Sequence, residues 1–396
     1  MNLSKKDKSK LQKFLAKLKE RRKTFVGYPV NTVFDYSEIE EFLEHPINNV
    51  GDPFNSGYLG LHSREFEVEV LDWFANLYNA PMDNYWGYVT NGGTEGNMYG
   101  LYLARELYPK GVVYYSQDTH YSVSKNIRML GMEHIMIKTR SSGEMDYDDL
   151  YAMMSTWRSA PPIIFANMGT TMKEGVDDIY KIKEVLNNLA IPEYYIHVDA
   201  AMSGMTLPFI EKAPHYDFAD GIQSVSISGH KLIGSPLPCG IVLALKSNVG
   251  RIARAIEYVG TLDSTVSGSR NGYTPILLWY AIKSHGFNGF KRLVRGCVRT
   301  AEYAVKAFNS AGVDAWKNDH AITVVFPRPN DNIVDKWQLA VQDNYAHMLA
   351  MPQVDDPLVD HLVADVWQSE QVGSKHDALA KRHEKKAPKA RRRKRR

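Results

Sequence analysis

The hydrophobic positions of the chain fall into distinct regimes. Over residues 3–24, Leu11, Phe14, Leu15 and Leu18 recur at helical spacing in a lysine-rich background, which predicts an amphipathic N-terminal helix. Residues 25–62 show no period. They are rich in Asn, Gly, Pro and aromatics and read as irregular. "REFEVEVLDWFANLYN", residues 64–79, is helical in pattern. Short apolar runs then alternate with helical stretches. "WGYVTNGG", "GVVYYS", "HIMIKT", "PIIFANMG", "YYIHVDA", "SVSISG" and "GIVLAL" read as strands, and "TEGNMYGLYLARELY" and "DDIYKIKEVLNNL" as helices. Such alternation predicts an α/β layer on a mainly parallel sheet. After about residue 255 the pattern changes to one long helix over 275–310. "AITVVFPRP" and "AHMLAMP" follow as strands of a smaller α+β unit. The expected organisation is a helix and arm over 1–45, a large domain over 46–255, a small domain over 256–369, and a disordered tail over 370–396.

Composition fits this picture. The chain has 396 residues, 44% hydrophobic and 23% charged, as in ordinary globular proteins with ample material for a core. No apolar run is long enough to span a bilayer, and "MNLSKKDKSKLQKF" lacks the apolar centre of a secretory signal. Two cysteines, Cys239 and Cys297, leave no room for a disulfide framework and suggest a reducing compartment. A cytoplasmic protein is expected.

Charge adds one feature. The net charge is +3, yet residues 381–396, "KRHEKKAPKARRRKRR", hold eleven Lys or Arg against one Glu. The remainder is therefore acidic. A run of like charges repels itself and stays unfolded. It suits contact with nucleic acid or nuclear import, and equally a solvated extension without a role. It says nothing about the chemistry of the body.

Ligands of α/β sheets sit beyond the carboxyl ends of the strands, and the chemistry-bearing residues cluster there. Thr90 to Asn97, "TNGGTEGN", is a strand-to-helix junction whose bare glycines and helix N-terminus suit a phosphate, or simply make a tight turn. No P-loop motif is present. Asp199 ends a strongly apolar strand, where an acid is costly unless paired. It either caps the next helix or faces a cationic ligand. His120 follows another strand. His120, His197 and His230 share no metal-like local spacing. Lys231 ends the small and apolar run "SISGHK", either as a snorkelling surface residue or as an amine held for chemistry. Together these are the parts pyridoxal phosphate needs. They comprise a lysine for its aldehyde, a carboxylate for its ring nitrogen, amides and hydroxyls for its phosphate, and a flat side chain for its ring.

Over residues 25–366 the chain resembles the group II pyridoxal-phosphate decarboxylases, in the branch of bacterial histidine decarboxylases and plant serine decarboxylases. The segments that carry this are "WGYVTNGGTEGNMYG", "THYSV", "GEMDYDDL", "PIIFANMGTT", "HVDAAMSGMTLPF", "SVSISGHKLIGSPLPCGIV" and "SGSRNG". The resemblance implies the aspartate-aminotransferase type of fold (fold type I) and a homodimer, or a tetramer built from it, with sites at the subunit interface. It implies that Lys231 carries the cofactor as a Schiff base, that Asp199 partners the ring nitrogen, and that His120 stacks on the ring near the substrate. Gly93, Thr94, Ser228 and His230 match the phosphate-binding positions. Thr171, rather than Thr170, matches a threonine near the ring oxygen or the substrate carboxylate. Tyr258 matches a mobile-loop tyrosine that protonates the product carbon, and Ser269 a residue reaching the partner's site.

The implied reaction is decarboxylation of an L-amino acid. Trp86 to Val242 resembles the histidine enzymes most, whereas the flanks "GDPFNSGYLGLHSREFEVEVLDWFANLY" and "PRPNDNIVDKWQLAVQ" look more like the serine enzymes. Histidine is the expected substrate and serine the alternative, with aromatic amino acids a distant third. Transamination would call for an arginine clamp on the substrate carboxylate, and Arg270 reads as structural. A pyruvoyl enzyme would cleave itself at a serine such as Ser141 or Ser142 and leave Lys231 without a task. An inactive body with a nucleic-acid-binding tail would predict losses among Lys231, Asp199 and His120, yet all three are present.

Overall fold

The computed structural model describes residues 2–55, 57–252, 254–256 and 260–369. Its first helix, α1 (Lys5–Arg22), starts at Ser4, whose hydroxyl accepts from the Asp7 amide. The helix forms as its pattern predicts, but the apolar stripe is not covered. Leu11, Phe14, Leu15 and Leu18 are each at least 50% exposed, and no residue of α1 is buried. Among the described residues its C-terminal end is the part fastened to the body, by Arg21 to Asp335 at 3.2 Å and by the Gln338 amide to the Arg21 carbonyl at 2.6 Å. The arm that follows is irregular, with one 3-10 stretch at Ser37–Glu44.

All seven runs read as strands in the α/β part form one sheet. They are β1 (Tyr85–Thr90), β2 (Val112–Ser116), β3 (His134–Ile137), β4 (Pro162–Asn167), β5 (Tyr195–Ala200), β6 (Ser224–Ser228) and β7 (Gly240–Leu245), in the order β1-β7-β6-β5-β4-β2-β3. β7 alone runs against its neighbours, pairing antiparallel with both β1 and β6. The other pairings are parallel. β1, β4, β5 and β6 are buried at every position, as suits strands covered on both faces. Helices α2 (Arg64–Leu77), α3 (Gly93–Leu107), α4 (Ser122–Leu130), α5 (Tyr147–Thr156) and α6 (Ile179–Asn188) provide that cover. Asp146 and Asp178 cap α5 and α6 with their carboxylates.

Beyond the sheet come a single turn of helix, α7 (Lys246–Val249), and a short ribbon of β8 (Arg254–Ile256) with β9 (Thr261–Asp263). The long helix α8 (Tyr273–Ser310) spans the predicted range but is broken at Gly286 (φ 56°, ψ 178°), a conformation that glycine tolerates and other residues avoid. A three-stranded antiparallel sheet completes the fold, with β10 (Thr323–Pro327) next to β12 (Tyr345–Leu349) and β11 (Ala340–Gln342) outermost. α9 (Asp331–Trp337) links β10 to β11, and a last helix occupies 356–369. One apolar core runs from Val70, Leu71 and Phe74 of α2 through the large sheet to Phe308, Phe326 and Val366.

Candidate active site

A cavity of about 160 Å³ opens at the carboxyl ends of β4, β5 and β6, beside the N-terminus of α3. Gly93, Thr94, His120, Thr171, Asp199, Ser228, His230 and Lys231 all line it. Residues separated by more than 130 positions thus meet where the sheet's parallel strands end.

The first turn of α3 forms one wall. Gly92 adopts φ 142°, which glycine alone reaches easily, and the Thr90 hydroxyl donates to its carbonyl at 3.0 Å. The first amides of α3, from Gly93 and Thr94, have no acceptor within the helix. A Cβ on Gly93 would stand 3.0 Å from the Ser228 hydroxyl, so the bare backbone brings these amides and that hydroxyl together. The Asn126 amide holds the Thr94 carbonyl at 2.9 Å.

Asp199 is 6% exposed, at the end of β5. One carboxylate oxygen accepts from the Asn97 side-chain amide at 2.7 Å and the other from the Ala201 amide at 3.0 Å. Among the described residues it forms no ion pair. Lys231 keeps some access through the mouth of the cavity, while its amine sits among protein atoms. Burial lowers the amine below its ordinary pKa, partly offset by the negative charges of Asp199 and Glu174. A buried carboxylate without a cation, a desolvated amine and an open helix N-terminus suit the ring nitrogen, aldehyde and phosphate of pyridoxal phosphate. The donor set fits the cofactor.

His120 is half-buried and its Nδ1 lies 2.8 Å from the Ser122 hydroxyl. Burial lowers its pKa, Asp199 opposes this, and Lys231 and Lys125 reinforce it. His230 is lowered chiefly by burial and contacts the Cys239 carbonyl at 2.8 Å. Thr170 and Thr171 both line the cavity but differ in use. The Thr170 hydroxyl accepts from the Gly175 amide at 2.9 Å, whereas Thr171 is exposed.

Of the other two predicted residues, Ser269 does not line this cavity and Tyr258 lies outside the described residues. Ser269 is exposed and accepts from the Asn48 amide at 3.1 Å. Arg270 is buried in an ion pair with Glu67 and donates to the Gly51 carbonyl at 2.9 Å, a structural placement. Sequence reasoning passed over Asn97, Asn167 and Ser122, which also line the cavity. Asn97 was within reach, since it follows Gly93 by one helical turn. Asn31 of the arm was not, although its backbone amide donates to the Lys231 carbonyl at 3.1 Å and its side chain to the Leu232 carbonyl at 2.9 Å.

Fold and site together define a pyridoxal-phosphate enzyme of fold type I. Residues 62–326 match the model of the pyridoxal-dependent decarboxylase conserved domain, and the chain belongs to that family. It is therefore a carboxy-lyase that uses pyridoxal 5'-phosphate. It is 47% identical over 360 residues to the histidine decarboxylase of Mesorhizobium japonicum, covering 91% of this chain and 97% of that one. The histidine decarboxylase of Pseudomonas entomophila is 45% identical, with 92% of each chain covered. Among solved structures, the L-methionine decarboxylase of Streptomyces sp. 590 superposes with a TM-score of 0.85 at 25% identity, over 93% of this chain and 95% of that one.

Proposed function

We propose that this enzyme converts L-histidine to histamine and carbon dioxide. The observation that carries the reading is similarity along the whole chain to histidine decarboxylases. Eight of them are 43–47% identical over at least 91% of this sequence. The likeness includes the flanks, where the motifs alone left serine open.

The cofactor, when bound, supplies an aldehyde that bonds amines and a cationic ring that accepts the electron pair left as carbon dioxide departs. The residues around it divide the remaining work. Lys231 would hold the aldehyde, and its lowered pKa favours the neutral, nucleophilic amine. Asp199 would keep a proton on the ring nitrogen. Gly93, Thr94, Ser228 and His230 would hold the phosphate, Thr171 would serve the ring oxygen or substrate carboxylate, and His120 would offer its flat ring to the cofactor. Tyr258 or His120 delivers the proton that replaces the carboxylate on Cα.

The functional unit is a homodimer in which Ser269 reaches the partner's site, in keeping with its exposure and its distance from its own cavity. A large domain over 46–255 and a small one over 256–369 accord with the change from a parallel to an antiparallel sheet. The enzyme is cytoplasmic. Both cysteines are free and buried, and among the described residues no helix is long and apolar enough to cross a membrane. The tail, which lies outside the described residues, contributes no catalytic group.

The deciding experiment is amine release by the cofactor-loaded protein given L-histidine and L-serine separately. Histamine alone is expected. Ethanolamine alone would overturn the assignment and make the enzyme a serine decarboxylase.

A further inference from the structure

Beneath the cavity a buried line of polar side chains that none of these roles uses leads to Asp199. The Tyr195 hydroxyl donates to Ser224 Oγ at 2.9 Å. Ser224 Oγ lies 2.7 Å from His197 Nδ1, His197 Nε2 lies 3.0 Å from Asn97 Oδ1, and Asn97 Nδ2 donates to Asp199 Oδ2 at 2.7 Å. All five residues are under 10% exposed. The protons on this line can be placed from the partners alone. Asn97 Oδ1 only accepts, so His197 Nε2 carries a hydrogen. Burial pushes His197 down to about 3, so its ring is neutral and Nδ1 is an acceptor. Ser224 must therefore donate to Nδ1, and its free lone pair takes the Tyr195 hydrogen. Every donor points the same way, toward Asp199.

We propose that Tyr195, Ser224 and His197 are positioning residues whose one-way hydrogen-bond chain locks the Asn97 amide, and so holds the Asp199 carboxylate aimed at the cofactor's ring nitrogen. This rests on the reading of Asp199 as the ring-nitrogen partner. The argument is one of exclusion at each link. If the Asn97 amide turned over, its oxygen would face the Asp199 carboxylate, and two acceptors would meet in a buried site. The Nε2 hydrogen of His197 prevents this by requiring an oxygen opposite it. Ser224 in turn fixes which ring nitrogen holds that hydrogen, and Tyr195 fixes the hydroxyl of Ser224. The fold makes room for the arrangement. A Cβ on Gly100 would lie 2.1 Å from His197 Nδ1, so α3 passes the ring closely only because it has no side chain there. Phe165 closes another side, its ring centre 5.1 Å from that of His197. The charged and titratable groups around Asp199 itself are Lys231 and His120, both on the cavity side. Asn97 also belongs to α3, whose first turn faces the phosphate. The chain thus ties both ends of the cofactor site to one buried line.

The test uses full-length protein loaded with pyridoxal phosphate labelled with 15N in the ring. The nitrogen's chemical shift reports its protonation as pH is raised, independently of turnover. Asp199→Asn is expected to lose the ring proton. Ser224→Ala and His197→Leu are expected to lower the midpoint of deprotonation by about one pH unit. They should also reduce kcat about tenfold with KM little changed. His197→Gln, which keeps a donor toward Asn97, is expected to restore most of both. If His197→Leu does not fold, Ser224→Ala decides alone. A wild-type midpoint and kcat in the foldable relay variants, beside an Asp199→Asn that has lost the proton, would overturn the relay and leave the role of Asp199 standing. An Asp199→Asn that keeps the proton would remove the underlying reading, and the relay with it.

Discussion

At the scale of single residues, burial acts on Lys231 and His197 in the same direction and for different ends. Each is driven toward its neutral form, the lysine to become a nucleophile and the histidine to become a fixed donor. Lys231→Ala is expected to abolish the covalent cofactor label left by borohydride reduction. Turnover should fall by roughly 10²–10⁴-fold, the range for losing a group that acts directly in the reaction. For His197 the folded value, about 3, lies below the ordinary 6.5. The unfolded chain binds a proton that the folded chain refuses. Stability from this residue is complete above 6.5 and is lost as pH falls through that value toward 3. Between about pH 7.5 and 5.5, the urea midpoint of the wild type should therefore drop more than that of His197→Gln. The difference is bounded by about 1.4 kcal/mol per pH unit. Lys231, Asp199 and His120 were legible because a charged or imidazole side chain beside an apolar strand asks for an explanation. Asn97 was within reach by position, one helical turn after Gly93, but not by role, because an amide after a glycine turn is equally at home on a helix surface. Its role depends on His197, a hundred residues away.

Among the elements, α3 carries the tightest constraint. Its glycine-lined face lies against β5 and β6, and Gly100→Ala would drive a methyl group into the His197 ring. That overpacking should cost about 1–3 kcal/mol in a denaturant titration. Gly296→Ala is the matching control. It lies within α8 with no atom near its virtual Cβ, and should instead stabilise by about 0.5–1 kcal/mol. The seven strands could be read directly because strands buried on both faces are apolar at nearly every position. The break in α8 was hidden by a hydrophobic period that continues across Gly286. The arm was read only as irregular, since it is fastened through the backbone carbonyls of Lys231 and Leu232, groups that every residue possesses.

For the whole molecule, the charge asymmetry separates catalysis from the tail. Deleting 381–396 is expected to leave kcat/KM unchanged and to lower retention on a polyanion column at low salt. If the proposed interface site is right, light scattering should give twice the chain mass for the active species. The arm bears on how such a molecule is made. It is synthesised first, yet the Leu232 carbonyl it must cap follows 201 residues later. On its way it passes the small sheet, where the Val26 carbonyl accepts from the Leu349 amide at 2.8 Å. A growing chain on the ribosome therefore carries this strap idle until Leu232 has been made, and its contact with the small sheet waits for Leu349. A molecule clipped just after Asn31 would retain every side chain that lines the cavity and still lack the fastening at Lys231 and Leu232.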